Sequence, residues 1–203
     1  MARSFQAVVI GVSTGGVSAL AKLLGQLPAE FPLPILIVQH IGPNAGSGLV
    51  KLLGERCLLR VKEADEQDEI LPGTVYLAPA NYHLLVEHGG FLALSADPHV
   101  SFARPSVDVL FESAAEVFGP DLIGVVLTGA NFDGSRGLRT IKERGGVAIV
   151  QDPADAEAQQ MPQAALAATG VDYVVALNGL AALLQELASQ CATSPRQRGG
   201  RDD

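Results

Sequence analysis

Ala7-Val8-Val9-Ile10-Gly11-Val12-Ser13-Thr14-Gly15-Gly16 decides how this chain is read. A continuous apolar run meets a serine among glycines, the pattern of a buried strand that turns sharply into a helix. Such a turn holds the hydroxyl out of the backbone. The helix start beyond it offers unpaired N–H groups to a developing oxyanion. Glycine is required there because a side chain would block the approach of backbone or substrate. Taken alone, the segment also fits the ordinary opening of any parallel α/β unit, and Ser13 also fits the role of a simple helix N-cap.

Outward from that junction, strands and helices alternate. Gly16 to Leu27 reads as a helix with Leu20, Leu23, Leu24 and Leu27 on one face, broken by Pro28, Pro32 and Pro34. Pro34 to Gln39 is a second buried strand ending at His40, Gly46 to Arg56 a helix, and Leu58 to Val61 a short strand. The runs Gly73–Pro79, Leu84–Val86 and Phe91–Leu94 are short and partly alternating, and Asn81 and Gly89-Gly90 separate them. That pattern predicts an antiparallel hairpin insertion. Ser106 to Phe118 is helical, and its start at Pro105-Ser106-Val107-Asp108 has good capping chemistry. Leu122 to Leu127 is a third buried strand, Gly134 to Arg144 a helix, and Val147 to Val150 a fourth strand. Helices over Met161–Ala168 and Leu180–Ser189 flank a short strand at Tyr173-Val174-Val175. The expected fold is α/β: a doubly wound three-layer α/β/α arrangement with a mostly parallel sheet and an inserted antiparallel β-hairpin.

In parallel sheets of this kind, ligands bind at the carboxyl ends of the strands. Ser13 follows the first strand, His40 ends the second, and Asp133 follows the third in Thr128-Gly129-Ala130-Asn131-Phe132-Asp133-Gly134. A hydroxyl, a base and a carboxylate on one sheet edge are the members of a nucleophilic triad. Each also has a plain reading, His40 as a polar strand end and Asp133 as a helix N-cap. Independent capping does not predict all three types at one edge. His83, His88 and His99 show no ligand spacing and read as surface or packing residues, and Asp65 to Glu69 reads as an exposed acidic loop.

Composition bounds the rest. With 203 residues, 48% hydrophobic and 18% charged, the chain suffices for one buried core. A net charge of −8 argues against nucleic acid or an anionic membrane as partner. Cys57 and Cys191 fit neither a metal nor a disulfide framework and read as thiols in a reducing compartment. Neither a signal peptide nor an apolar run of membrane-spanning length is evident, so a cytoplasmic location without membrane insertion is expected. Residues 1–191 read as one catalytic domain and 192–203, rich in Arg, Gly and Ser, as a disordered tail.

The chain resembles the catalytic domain of the chemotaxis protein-glutamate methylesterases, the CheB family. The likeness runs from Val8 to about Leu187 through Ile10–Gly16, Ile37–Ile41, Leu71–Pro79, Arg104–Phe111, Leu127-Thr128-Gly129, Asp133-Gly134, Gln151-Asp152-Pro153 and Met161-Pro162. It implies that Ser13 is the nucleophile, His40 the general base and acid, and Asp133 the residue orienting His40. It also implies a cofactor-free, metal-free hydrolase acting on glutamate γ-methyl esters, and on selected glutamines, of methyl-accepting chemoreceptors. Thr14 and Gly15 are expected at the oxyanion, with the backbone N–H of Ala130 supplying a further contact. Arg104 is expected either to touch substrate or to form a structural salt bridge.

The chain departs from the family pattern in four places. Ala130 and Asn131 stand where the family commonly has Met then Gly, and Asn tolerates left-handed backbone better than most residues. Pro43-Asn44-Ala45-Gly46-Ser47-Gly48 is more glycine-rich than usual, which puts receptor contacts there in question, and Asp155 or its neighbour replaces a serine. The chain opens almost at the first strand, so the expectation is a stand-alone esterase, or a fragment, without the family's phospho-receiver domain. Other classes fit less well. A dinucleotide site needs a second glycine where Ser13 stands and an acid where His40 ends the second strand. An α/β-hydrolase runs Ser, Asp, His in chain order. A catalytically silent receptor-binding relative of the same fold stays open because of Ala130-Asn131.

Overall fold

In a computed structural model of the chain, described for residues 4–40, 42 and 48–189, the opening run forms β1 (Ala7–Val12), buried at every position. It leads into α1 (Gly16–Leu24) through Gly15, whose φ of 77° lies in the left-handed region that glycine enters without strain. The chain continues through β2 (Ile35–Gln39), α2 (Gly48–Gly54), β3 (Arg60–Glu63), β4 (Thr74–Leu77), β5 (His83–Glu87) and β6 (Phe91–Ser95). Then follow α3 (Val107–Phe118), β7 (Leu122–Val126), α4 (Ser135–Glu143), β8 (Val147–Gln151), α5 (Gln160–Ala168), β9 (Tyr173–Val175) and α6 (Leu177–Ser189).

Seven strands form one sheet in the order β3-β4-β2-β1-β7-β8-β9, parallel throughout. Strand side chains alternate between faces, so β1 sends Val8, Ile10 and Val12 to one core and Ala7 and Val9 to the other. The first core is closed by α1, α2 and α6, and the second by α3, α4, α5 and the hairpin of β5 and β6. This is the expected three-layer, doubly wound arrangement. Strand order reverses at β1, which has β2 on one side and β7 on the other. That opens a crevice above the carboxyl ends of the three central strands.

The hairpin is antiparallel as expected, but it comprises β5 and β6 alone, and β4 belongs to the parallel sheet between β3 and β2. The physical reason is Tyr76. Its alternation with apolar neighbours mimics a half-exposed strand, yet its ring is 2% exposed in the second core. Its hydroxyl is satisfied there, donating to Glu69 O at 2.7 Å and accepting from the Leu71 N–H at 3.1 Å. The short third strand also sits later than expected, at Arg60–Glu63, with Leu58 left 73% exposed. The acidic loop is largely exposed, but it stitches the hairpin to the sheet. Glu66 Oε2 accepts from Leu94 N–H at 2.8 Å, and Asp68 pairs with Lys62.

Residues 43–47 and 190–203, which include the glycine-rich stretch after His40, Cys191 and the expected tail, lie outside the described residues. Cys57 is a free thiol. Among the described residues no helix is long and apolar enough to cross a membrane.

Candidate active site

Ser13 and His40 directly follow β1 and β2, and Asp133 lies in the loop between β7 and α4, the three strands being neighbours in the sheet. Ser13 and His40 line one cleft of about 470 Å³ together with His99, Arg104, Asn131 and Phe132. His40 Nε2 stands 2.8 Å from Asp133 Oδ2, and the carboxylate side chain is wholly buried.

The nucleophile turn is held through its backbone. Ser13 N–H donates to Thr128 O at 2.9 Å, and Ser13 O accepts from Gln39 Nε2 at 3.0 Å and Gly16 N–H at 2.9 Å. Thr128 Oγ1 donates to Thr14 O at 2.8 Å and accepts from Ala158 N–H at 2.9 Å. Thr128 N–H in turn reaches Gln151 Oε1, and Gln151 Nε2 reaches Asp155 Oδ2. These polar braces, Gln39, Thr128, Gln151 and Asp155, are absent from the sequence-derived site. Burial of polar side chains at strand ends marks the first three, since Gln39, Thr128 and Gln151 are 5%, 2% and 1% exposed, whereas Asp155 is exposed and carries no such mark. Gly129 packs against Met161 and Ser13, and an added Cβ would lie 2.0 Å from Met161 Sδ and 3.0 Å from Ser13 Cβ. Thr14 and Ala130 are exposed beside the cleft, and their N–H groups find no acceptor among the described residues.

Asp133 does not cap its own helix. Its Oδ2 accepts from Val107 N–H at 2.7 Å, and its Oδ1 accepts from Ser106 Oγ at 2.9 Å and Asp108 N–H at 3.0 Å. It therefore satisfies the start of α3. Ser106 holds the N-cap position of α3 but makes no capping bond with its own side chain, and its hydroxyl donates to Asp133. The arrangement is reciprocal, because Asp108 Oδ1 accepts from Gly134 N–H at 2.9 Å and Gly137 N–H at 2.8 Å at the start of α4. Burial pushes the Asp133 carboxyl up, but the hydrogen bonds from His40 and from the Asp108 and Val107 N–H groups outweigh it. The group is held below the usual carboxylate range and ionised. Burial, aided by the negative charge of Asp133, raises Asp108 despite its bond from Gly137.

The other nitrogen of His40 is also engaged. Asn131 Nδ2 lies 3.0 Å from His40 Nδ1, while Asn131 Oδ1 accepts from Asp133 N–H at 3.0 Å. Arg104 lines the cleft without an acidic partner among the described residues. Its Nη1 donates to Ala96 O and Asp97 O, bracing the loop after β6. His83 is a packing residue, 1% exposed, accepting at Nδ1 from Ser106 N–H. His99 is exposed on the cleft wall and His88 on the hairpin turn.

Comparison with known proteins gives concordant matches. A family model described as CheB methylesterase matches residues 8–184. A Leptospira interrogans protein, carried under the provisional name protein-glutamate methylesterase/protein-glutamine glutaminase, is 50% identical over 184 residues, 91% of this chain and 95% of that one. The protein-glutamate methylesterase FrzG of Myxococcus xanthus is 43% identical over 91% of this chain, which spans 55% of that longer protein. The crystal structure of the Thermotoga maritima CheB methylesterase catalytic domain superposes with a TM-score of 0.87 at 36% identity, covering 91% of this chain and 99% of that one.

Proposed function

The chain belongs to the CheB methylesterase family, and from that premise we propose that it hydrolyses glutamate γ-methyl esters of chemoreceptors, releasing methanol. Deamidation of selected glutamines would use the same acyl chemistry, with ammonia as leaving group. In this reading the enzyme works in the cytoplasm, needs no metal or cofactor, and meets its receptor as a soluble protein. Residues 1–191 form the catalytic unit.

The observation that carries the reading is the 2.8 Å pairing of a buried, ionised Asp133 with Nε2 of His40, which lines the same cleft as Ser13. An ionised carboxylate only accepts, so Nε2 carries the hydrogen and Nδ1 is the basic nitrogen. Ser13 Oγ attacks the ester carbonyl as its proton passes to His40 Nδ1. Asp133 stabilises the imidazolium that forms, and does so without taking the proton. The oxyanion develops beside the N–H groups of Thr14, Gly15 and Ala130. A donor of this kind supplies about 2.7–4 kcal/mol of barrier lowering where it has been removed in other hydrolases. The imidazolium returns its proton to the departing methoxide. Water, activated by the same nitrogen, then releases the glutamate and restores Ser13.

The test is methanol release from a methylated chemoreceptor fragment by wild type and Ser13→Ala. The expected result is turnover by the wild type and a fall of several orders of magnitude in the variant. A folded wild type that releases no methanol overturns the substrate assignment. A variant that keeps its activity overturns the assignment of the nucleophile.

A further inference from the structure

Two polar groups compete for one lone pair in this site. Asp133 N–H donates to Asn131 Oδ1, which settles the orientation of the carboxamide and turns its Nδ2 donor to His40 Nδ1 at 3.0 Å. Asp133 Oδ2 accepts the hydrogen on Nε2, so Nδ1 presents only its single in-plane lone pair. That is the lone pair the Ser13 proton must enter. Ser13 itself is tied to its surroundings through its backbone, with Thr128 O and Gln39 Nε2 as partners. An amide N–H and a serine hydroxyl cannot both use one nitrogen.

We propose that Asn131 is a positioning residue of the base, whose carboxamide holds His40 Nδ1 in the resting site and is displaced by the Ser13 hydroxyl on each turnover. The proposal rests on the esterase reading. The contact matches the tautomer that Asp133 already imposes, with hydrogen on Nε2 and none on Nδ1, so its removal leaves that tautomer in place. It also places a barrier before proton transfer, because the amide must leave first. The segment that moves is peripheral: Ala130 is exposed and Phe132 is 54% exposed, so a rotation of the Asn131 side chain disturbs no core packing. Losing one neutral hydrogen bond of ordinary worth slows acylation about 2- to 10-fold relative to a site without it.

The full chain is tested as wild type, Asn131→Ala, Asn131→Gly and Asn131→Asp, each confirmed as folded by its thermal transition. A serine-directed fluorophosphonate reports the acylation half-reaction and methanol release reports turnover. The expected result is faster phosphonylation in Asn131→Ala and Asn131→Gly, by that 2- to 10-fold factor, with kcat raised and KM unchanged. Asn131→Asp is expected to be slower, because a carboxylate at that place keeps a hydrogen on Nδ1. Unchanged or slower reaction in Asn131→Ala overturns the proposal, and slowing in all three variants marks Asn131 as merely structural. Nitrogen NMR of the wild-type imidazole tests the resting contact without any variant. A hydrogen found on Nδ1 in the neutral ring overturns it, and a bare Nδ1 supports it. If wild type neither reacts with the phosphonate nor releases methanol, the esterase reading fails. If wild type is active, Ser13→Ala is inert and Asn131→Ala gains nothing, only this proposal fails.

Discussion

Exchanging Asp133 for asparagine alters one terminal atom and is expected to damage both stability and rate. Each carboxylate oxygen accepts from two donors: Oδ2 from Val107 N–H and His40 Nε2, Oδ1 from Ser106 Oγ and Asp108 N–H. The amide NH2 must occupy one of these places and there meets two donors. The Ser106 hydroxyl can turn to accept and His40 can change tautomer, but a backbone N–H at the start of α3 is left buried without a partner on either side. That orphan costs about 1–3 kcal/mol, and the surviving bonds lose their charge-assisted excess of roughly 1 kcal/mol each. Relief of the repulsion with Asp108 offsets a part, which leaves a net destabilisation of about 2–4 kcal/mol. For a domain of this length that lowers Tm by roughly 5–15 °C. The chain contains no tryptophan, so unfolding is followed by far-ultraviolet circular dichroism in urea, where the midpoint falls and the slope stays constant. Methanol release is expected to fall on the order of 10³- to 10⁴-fold, because the amide favours the wrong tautomer of His40. A variant as stable as the wild type would refute the assignment of Asp133 as the cap of α3. Retained activity would refute its role beside His40.

Asp108→Asn is expected to be mild by comparison, under about 1.5 kcal/mol in the same urea titration. Both backbone donors use a single oxygen, which the amide carbonyl reproduces. In acid the two groups act in opposite directions. The lowered Asp133 contributes stability that is present above its unfolded pKa of about 3.9 and lost as pH falls through its lower folded value. The raised Asp108 favours folding below the unfolded value and loses that contribution as pH rises through its higher folded one. Acid unfolding of Asp108→Asn, monitored by circular dichroism, should therefore retain the Asp133 transition; its disappearance would refute the division. Gly129→Ala drives a methyl to 2.0 Å from Met161 Sδ and 3.0 Å from Ser13 Cβ. Methanol release is expected to drop at least about 10-fold, given the sensitivity of nucleophile placement, with unchanged activity as the refuting result.

The large sheet was legible because its strands are continuous apolar runs, which only a sheet covered on both faces explains. β4 escaped because Tyr76 hides a satisfied hydroxyl inside a core, and no spacing rule reveals where that hydroxyl finds its partners. Ser13, His40 and Asp133 were legible from their common place after strands. The destination of each side chain was not. Sequence proximity assigns Ser106 to its own helix and Asp133 to the helix after it, whereas in three dimensions the helix starts face one another and the caps cross over. Arg104 has the same character: its charge suggests a carboxylate, while its actual partners are backbone carbonyls, which leave no residue-type signal.

Among the described residues no strand of the seven-stranded sheet pairs with the hairpin, which bonds through β6 to Gln67 and Asp68 of the acidic loop instead. Ser13 and His40 ride on the seven-stranded sheet, whereas Asn81, His99 and Arg104 on the opposite wall of the cleft sit at the base of the two-stranded hairpin. The two walls are nevertheless tied at one point, because Asp133 accepts from Ser106 Oγ and the Ser106 N–H donates to His83 of β5, so the partner of His40 is braced against the hairpin side. His99 is exposed on the cleft wall outside that brace, so substitutions there are expected to reshape the entrance while His40 and Asp133 keep their spacing. Variation among relatives should therefore gather on the hairpin side of the cleft, and a graft of that wall from one relative onto another should carry substrate preference with it.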